Sequence, residues 1–476
     1  MIETTGTTRY TYDALSRRTK LSFPNGTETV YAYDAASQLT SITHRLSAQP
    51  DTVLAHARYT YDPLGNRLTL EDALPPLPEP ADPSLLHRFT YDALSRLTDA
   101  THPAGSGLPP ELFRYDPLGN RTRSHRSATH RHDAGNRLLE DDTFTYTYDP
   151  NGNRTTQRPK ACEAPPAPCP QARTFTYDPE DQLIGFDTEG VSAHYRYDGL
   201  GRRIEKVVNG VTSRYVYDQE DVLFETDQAG TLQARYTHGP GIDEPLSLER
   251  DRNANGTFEE TERFFYHADG LGSTVALSNK EGVVVERYRY DTFGTPTILA
   301  PDGTVRTCSA VGNPFLFTGR EYDCETGLYY YRRRYYDPSS GRFLQEDLAR
   351  RGLERPPLVD PVDLNPYVYV GNNPSTFIDP EGTTRSEPGQ VTKRSQRPEL
   401  PGPVPGPVQR SLPLLDRSLG GCNVTFIEFR GITTVRVSGI SGKLQTYEYL
   451  VTGLDDCGRP CQERLILFIN LRGIST

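Results

Sequence analysis

The sequence predicts an all-β protein: many short hairpins stacked into a long sheet, followed by a small β-rich module. Three observations carry this. Tyr occurs 29 times against 18 Phe and no Trp, and aromatic residues favour strands. Gly and Pro contribute 40 and 39 residues, enough to punctuate the chain with turns. Third, one short unit recurs: an aromatic, one residue, Tyr-Asp, then a turn rich in Gly, Ser or Asn, then often Arg. It reads Tyr10-Thr-Tyr12-Asp13, Tyr31-Ala-Tyr33-Asp34, Tyr59-Thr-Tyr61-Asp62, Phe89-Thr-Tyr91-Asp92 and Phe113-Arg-Tyr115-Asp116. It continues as Tyr146-Thr-Tyr148-Asp149, Phe175-Thr-Tyr177-Asp178, Tyr195-Arg-Tyr197-Asp198, Tyr215-Val-Tyr217-Asp218 and Tyr288-Arg-Tyr290-Asp291.

Each unit predicts a strand, a turn and a second strand. Alternate strand residues point to opposite faces, so the two aromatics share one face and the residue between them occupies the other. Asp caps the turn, and Gly or Asn supplies the positive φ of a tight reversal. A lone hairpin is marginal in water, so the aromatic stripes have to stack on their neighbours. Residues 73–83 and 165–170 are Pro-rich loops between units. Residues 247–262, SLERDRNANGTFEETE, place Asp251, Asn253, Asn255 and Glu259 in one loop. Spaced oxygen side chains suit Ca²⁺, but these four fall short of a twelve-residue ligand set, and the segment is expected to be a polar hairpin loop.

The composition excludes several classes. The late apolar run 465–469 has five residues, whereas a membrane span needs about 20. No basic segment followed by an apolar stretch comes after Met1, so no secretory signal peptide is expected. The net charge of −11 argues against nucleic-acid binding by the main body. From Thr383 onward there are 12 basic and 8 acidic residues, against 40 and 55 before it, giving an acidic body and a mildly basic tail. The seven Cys cannot all pair internally. Cys457-x3-Cys461 lacks a second ligand pair, so no metal and no cofactor are expected.

The Tyr-Asp unit resembles the YD repeat of the Rhs proteins. Similar repeats occur in the C component of insecticidal Tc toxin complexes and, more distantly, in teneurins. The resemblance implies that the repeats form a β-sheet spiralling into a hollow shell. From Tyr266 it becomes more specific. Tyr266-His267-Ala-Asp269-Gly-Leu-Gly272-Ser273 resembles the opening of the Rhs repeat-associated core domain. Phe317-Thr-Gly-Arg320, Arg334-Tyr335-Tyr336-Asp337-Pro338, Gly341-Arg342-Phe343, the run Asn365 to Pro374, and Asp379-Pro380-Glu-Gly382 follow in that family's order. The implied organisation is repeats over 1–265, the core domain over 266–382, a Pro-rich basic linker over 383–420 and a variable C-terminal effector domain over 421–476.

The resemblance also implies a chemistry. An Asp after Gly-Arg-Phe and the Asp of the Asp-Pro-x-Gly motif act as an aspartic-protease-like pair that cuts the chain after that motif. The matching residues are Asp347 and Asp379, with Arg342 positioning the site and the cut between Gly382 and Thr383. Two adjacent carboxylates cannot both ionise, so one can take a proton from water while the other polarises the carbonyl. Leu348 stands where the family has Pro, residues 350–358 look inserted, and Thr383 stands where Leu is usual. Asp360-Pro361 restores an Asp-Pro pair and makes Asp360 a rival first aspartate. Active self-cleavage and a structural plug both remain open, because Asp before Pro is also ordinary turn chemistry.

Beyond Gly382, residues 383–413 form an extended linker. Residues 424–429, 434–437, 444–451 and 464–471 predict four strands of a small module. All ten His precede residue 270, so the tail cannot host a Ser-His-Asp triad or a His zinc site. Glu448, Asp455, Asp456 and Glu463 are its candidate acids, and Cys422, Cys457 and Cys461 its candidate thiols. The resemblance implies a secreted or surface-delivered protein whose cargo is its own tail. Its implied partners are a delivery component and a cognate immunity protein, with nucleic acid only as a target of the tail. A non-catalytic adhesion protein and a truncated remnant with an inert tail are the alternatives.

Overall fold

A computed structural model describes residues 2–3, 6–72, 86–162, 172–347, 365–383 and 385–388, together with the backbone of strands 422–435, 444–455 and 460–470. The two Pro-rich loops, Leu348, the 350–358 insertion, Asp360, most of the 383–420 linker, Asp456 and Cys457 lie outside these residues. Among the described residues the regular structure is β-strand with short 3₁₀ turns, and no helix is long and apolar enough to cross a membrane.

The repeat dictates its own hairpin. In the unit at Tyr59–Tyr61, Asp62 N–H donates to Asn66 O at 2.9 Å and Gly65 N–H donates to Asp62 O at 3.0 Å. Asp62 Oδ1 accepts the Leu64 and Asn66 amides at 2.8 and 2.9 Å. Gly65 sits at φ 85, and the strand register slips by one residue between Thr60 and Tyr61. A type I turn followed by a left-handed residue and a bulge makes this pattern. The same bonds recur at Asp13, Asp92 and Asp116. The left-handed position is not reserved for Gly or Asn: Ser16, Ser37, Ser95 and Asp181 also adopt it.

The facing of the unit follows the alternation. Tyr59, Phe89, Phe113, Tyr146, Phe175 and Tyr195 are buried, whereas Thr60, Thr90, Arg114, Thr147, Thr176 and Arg196 between the aromatics are exposed. The first aromatic is Tyr or Phe, but the second is Tyr throughout, and the structure supplies the reason. In most units its hydroxyl donates to a backbone carbonyl of a neighbouring hairpin: Tyr33 to Arg18, Tyr61 to Leu39, Tyr91 to Arg67, Tyr115 to Leu97, Tyr177 to Arg154, Tyr217 to Arg203 and Tyr290 to Thr274, at 2.5 to 2.9 Å; Tyr12 of the first unit is exposed. Phe could bury the ring but not close the bond. The arginine that opens a second strand stacks on the buried ring, with Arg67 4.3 Å from Tyr59, Arg121 4.8 Å from Phe113 and Arg154 4.8 Å from Tyr146.

The hairpins join into antiparallel meanders. Ten strands from Arg9–Tyr12 to Arg121–Ser124 form one sheet, and seventeen from His130–His132 to Val305–Arg306 form a second, each strand pairing with its sequence neighbours. The single continuous sheet implied by the repeats is thus interrupted once. The chain turns back on itself through a Ser124–Ser127 bridge, and Ala128 N–H and Thr129 Oγ1–H go to the Asp142 carboxylate rather than to a ladder. The two sheets are stitched together through Phe23 on Phe265, Asn25 on Ser278, and Tyr59 and Arg67 on Gly270.

A four-stranded sheet, Glu321–Asp323, Leu328–Tyr331, Arg334–Asp337 and Arg342–Phe343, packs its tyrosines against the second sheet in an aromatic core that includes Tyr329, Tyr331, Tyr336, Phe343 and Tyr369. Buried ion pairs tie it down. Arg203 donates to Glu321 at 2.8 Å, to Asp323 at 2.5 Å and to Tyr335 Oη at 3.0 Å, and Arg154 donates to Asp337 at 2.9 Å. Burial alone would raise the Asp337 carboxyl, but Arg154 and Arg173 outweigh it and hold it at about 2. A disulfide joins Cys308 to Cys324, a pairing that the cysteine spacing did not indicate.

The chain divides into two compact units, 1–196 with 203–395, and 197–202 with 396–476. In the second, Cys422–Val435, Leu444–Asp455 and Pro460–Asn470 form a three-stranded antiparallel sheet. The strand expected at 424–429 and the first two residues of that expected at 434–437 belong to one strand, Cys422–Val435. Register slips at Val424/Phe426 and Phe429/Gly431 absorb the irregularity, so the sequence break there is a bulge and not a turn.

A candidate self-cleavage centre

The site grows from the hairpin of Leu328–Tyr331 and Arg334–Asp337. Tyr331 pairs with Arg334 across a two-residue turn in which Arg332 takes φ 55. The turn aims Arg332 and Arg334 at the Asp379–Thr383 segment. Arg332 Nη1 donates to the Pro380 carbonyl and Arg334 Nε donates to the Gly382 carbonyl. Arg334 Nη1 donates to Pro366 O at 2.8 Å, and its guanidinium lies over the Phe343 ring at 3.6 Å. The segment is closed behind by paired bonds between Ile378 and Ser386, at 2.9 and 2.7 Å. Gly382 has φ 71, and a Cβ there would overlap the Tyr331 carbonyl oxygen.

Both predicted aspartates come to this point. Asp347 is 2% exposed and Asp379 is 3% exposed. Arg334 Nη2 lies 3.7 Å from Asp347 Oδ2 and 3.6 Å from Asp379 Oδ2, so one guanidinium nitrogen stands beside both carboxylates. Asp379 Oδ1 accepts the Thr383 N–H at 2.9 Å. That last bond is the repeat's own turn bond: Asp149 Oδ1 accepts Asn153 N–H at 2.8 Å in the same Asp-Pro-x-Gly spacing. Burial and the company of Arg334 and Asp347 set Asp379 apart from the repeat aspartates.

Arg342 is placed elsewhere. Its Nη1 lies 3.5 Å from Asn120 Oδ1, its Nη2 donates to the Asn136 carbonyl, and its guanidinium faces the Tyr367 ring at 5.5 Å. Burial pushes it down to about 10, and the charged groups that act on it most are Arg154 and Arg121, which push it the same way. The strand pairing explains this: Arg342 pairs with Asp337 at the far end of the sheet from Tyr331 and Arg334. The arginine at the carboxylates is therefore Arg334, which in the sequence is one residue of the Arg334-Tyr335-Tyr336-Asp337-Pro338 motif. Its signal was its place immediately after the Arg332-Arg333 turn. Asn365, Asn372 and Asn373 hold the intervening segment on the repeat turns, binding Asn120, the Gly119 carbonyl and Asn66 at 2.6, 2.9 and 2.8 Å.

Together, the tyrosine-latched hairpin repeats and the Arg-clamped Asp-Pro-x-Gly segment define a YD-repeat protein of the Rhs class. The comparisons agree. The teneurin YD-shell family matches residues 82–375, and the chain belongs to that family. It is 32% identical over 304 residues to the tRNA3(Ser)-specific nuclease WapA of Bacillus spizizenii, covering 61% of this chain and 12% of that protein. It is 27% identical over 437 residues to toxin subunit YenC2 of Yersinia entomophaga, covering 78% of this chain and 42% of that one. Among solved structures it is similar to the TcdB2-TccC3-TEV crystal structure, with a TM-score of 0.56 at 22% identity over 79% of this chain and 19% of that one, a likeness of fold. The chain thus spans less than half the length of these relatives.

Proposed function

We propose that the protein is a toxin-type YD shell that carries its C-terminal region as an effector and frees it by cutting its own chain between Gly382 and Thr383. In this reading residues 1–265 are repeats, 266–382 the closing domain, 383–420 a linker and 421–476 the effector. The supporting observation is Arg334, which contacts the Gly382 carbonyl and stands beside both aspartates. One guanidinium against two carboxylates leaves one negative charge, which a single shared proton neutralises. Arg334 stabilises the negative oxygen that develops on Gly382 as water adds. Asp347 takes the proton of that water. Asp379, which holds the Thr383 amide in the intact chain, delivers the shared proton to the nitrogen as the C–N bond breaks. The products are a Gly382 carboxylate and a Thr383 amine.

The tail's target, a delivery component and an immunity protein belong to the same proposal. Relatives named as a nuclease and as a toxin subunit support it, as does a tail with 12 basic and 8 acidic residues. A second reading, a structural plug, is favoured by the identity of the Asp379 turn bond with that of the repeats. A gel separates the two. Expressed whole, the chain yields a fragment that begins at Thr383 by N-terminal sequencing, and Asp379→Asn stays intact. Intact chain in both samples leaves the plug.

A further inference from the structure

The loop that joins Pro245–Arg250 to Arg263–Ala268 has no part in the proposed cleavage. Asp251, Asn253, Asn255 and Glu259 alone supply four oxygen side chains. Extended to Glu262 the segment is complete: Asp251, Asn253, Asn255, Gly256, Thr257, Glu259 and Glu262 occupy the first, third, fifth, sixth, seventh, ninth and twelfth places of a twelve-residue stretch. These are the places and residue types of a calcium loop, in which the seventh residue contributes its carbonyl and the sixth is Gly for the sharp turn. We propose that residues 251–262 bind one Ca²⁺.

The backbone is coiled accordingly. Ala254 and Gly256 take φ 57 and 76. Asp251 accepts the Asn255 and Gly256 amides at 3.1 and 2.7 Å, one on each carboxylate oxygen. Asn255 Oδ1 accepts Thr257 N–H at 2.8 Å. Glu262 closes the ring, accepting Arg252 N–H at 2.8 Å and Glu259 N–H at 3.1 Å.

A charge deficit points independently to a cation. Asp251 is 7% exposed and Glu262 is 5% exposed. Yet among the described residues neither of these carboxylates is in an ion pair, nor is that of Glu259, which accepts the side-chain amides of Asn253 and Asn255 at 3.1 and 3.2 Å. Of the basic side chains at hand, Arg252 is exposed and in no ion pair among the described residues, and the others are committed elsewhere. Arg263 and Arg235 both pair with Glu249, and Arg250 pairs with Glu225 at 2.5 Å. The acid of the loop that does pair is Glu260, with Lys280 at 2.8 Å, and Glu260 stands at the tenth place, which is no ligand position. Buried carboxylates without a cation are costly. Each oxygen of Asp251 and Glu262 accepts a single amide, which leaves lone pairs for a metal.

All the donors are oxygens, two of them neutral amides and one a main-chain carbonyl. That set suits a hard cation of flexible coordination, Ca²⁺, over zinc or copper. Among the described residues no three Cys, His, Asp or Glu side chains already converge on a metal-sized point, so the ion would draw Glu259 and Glu262 inward as it binds. The loop is flanked by two strands. Binding therefore clamps a hairpin of the second sheet instead of opening a helix pair.

The test uses the full chain, stripped of metal and titrated calorimetrically with calcium chloride up to about 1 mM, the upper range for extracellular calcium loops. One saturable site per chain is expected, with a melting temperature that rises with calcium. Glu262→Gln and Asn253→Ala should each weaken binding by about tenfold or more. Asn253 is exposed, so its variant keeps the test valid if loss of the Glu262 bonds disturbs folding. Absence of saturable binding in the unsubstituted chain, or binding undiminished by Asn253→Ala, overturns the proposal.

Discussion

Gly382→Ala tests the cleavage geometry through a single methyl group. Two effects add at this position. A non-glycine residue at φ 71 costs about 1–2 kcal/mol of backbone strain. The new Cβ would also fall inside van der Waals contact with the Tyr331 carbonyl oxygen and come within 3.3 Å of Tyr331 Cβ. Restoring contacts of about 3.5 Å requires the segment to move by roughly 1 Å. A displacement of that size at a reacting centre lowers a rate by about 100-fold, here because the Gly382 carbonyl leaves Arg334 Nε. Gly210→Ala is the control: Gly210 has φ 84 and open space about it, so its variant pays the strain and not the overlap. The assay is a time course of the chain made by cell-free translation, scored for the fragment that begins at Thr383. Cleavage of Gly382→Ala at the unsubstituted rate, or equal slowing in both variants, would refute the placement of the scissile carbonyl.

Three further outcomes follow from the packing. Arg203→Met strands Glu321, which Arg203 contacts at 2.8 Å, and leaves Asp323, which it contacts at 2.5 Å, with Lys206 alone at 2.9 Å; it should cost about 3–5 kcal/mol in urea denaturation, and a loss under 1 kcal/mol would count against a buried ion-pair role. Reducing the Cys308–Cys324 bond, which closes a sequence separation of 16, should lower stability by about 3 kcal/mol, read as a shift in melting temperature with dithiothreitol that the Cys308→Ala, Cys324→Ala double variant does not show. Acid should weaken the seam between the two large sheets. His44 is held at about 4 by burial, against an ordinary value of 6.5, and lies 5.0 Å from the buried His267, whose value is also pushed down by burial. The unfolded chain therefore binds more protons than the folded one below pH 6.5. Stability is full above 6.5 and falls as pH drops toward 4, by about 3 kcal/mol for His44 alone; His44→Gln should flatten that part of the profile, and an unchanged slope would remove His44 from the account.

What the sequence determined by itself is whatever repeats locally. Alternation put both aromatics of each unit on one face and the Thr or Arg between them on the other, and the Asp after Tyr announced the turn, because all these interactions close within a few residues. The invariance of the second Tyr was visible as a pattern, but its cause was not, since its hydroxyl bonds to another hairpin, as Tyr91 does to the Arg67 carbonyl. Asp347 and Asp379 were legible from their motifs and are brought to one guanidinium. That guanidinium belongs to Arg334, not Arg342, because sheet register across a two-residue turn decides which arginine reaches a carbonyl 48 residues away. The break at Ser124, the pairing of Cys308 with Cys324 and, among the described residues, the absence of ion pairs at Asp251 and Glu262 likewise depend on contacts between distant segments. Periodicity encodes what one hairpin does with itself, and tertiary packing decides which buried charges and carbonyls meet.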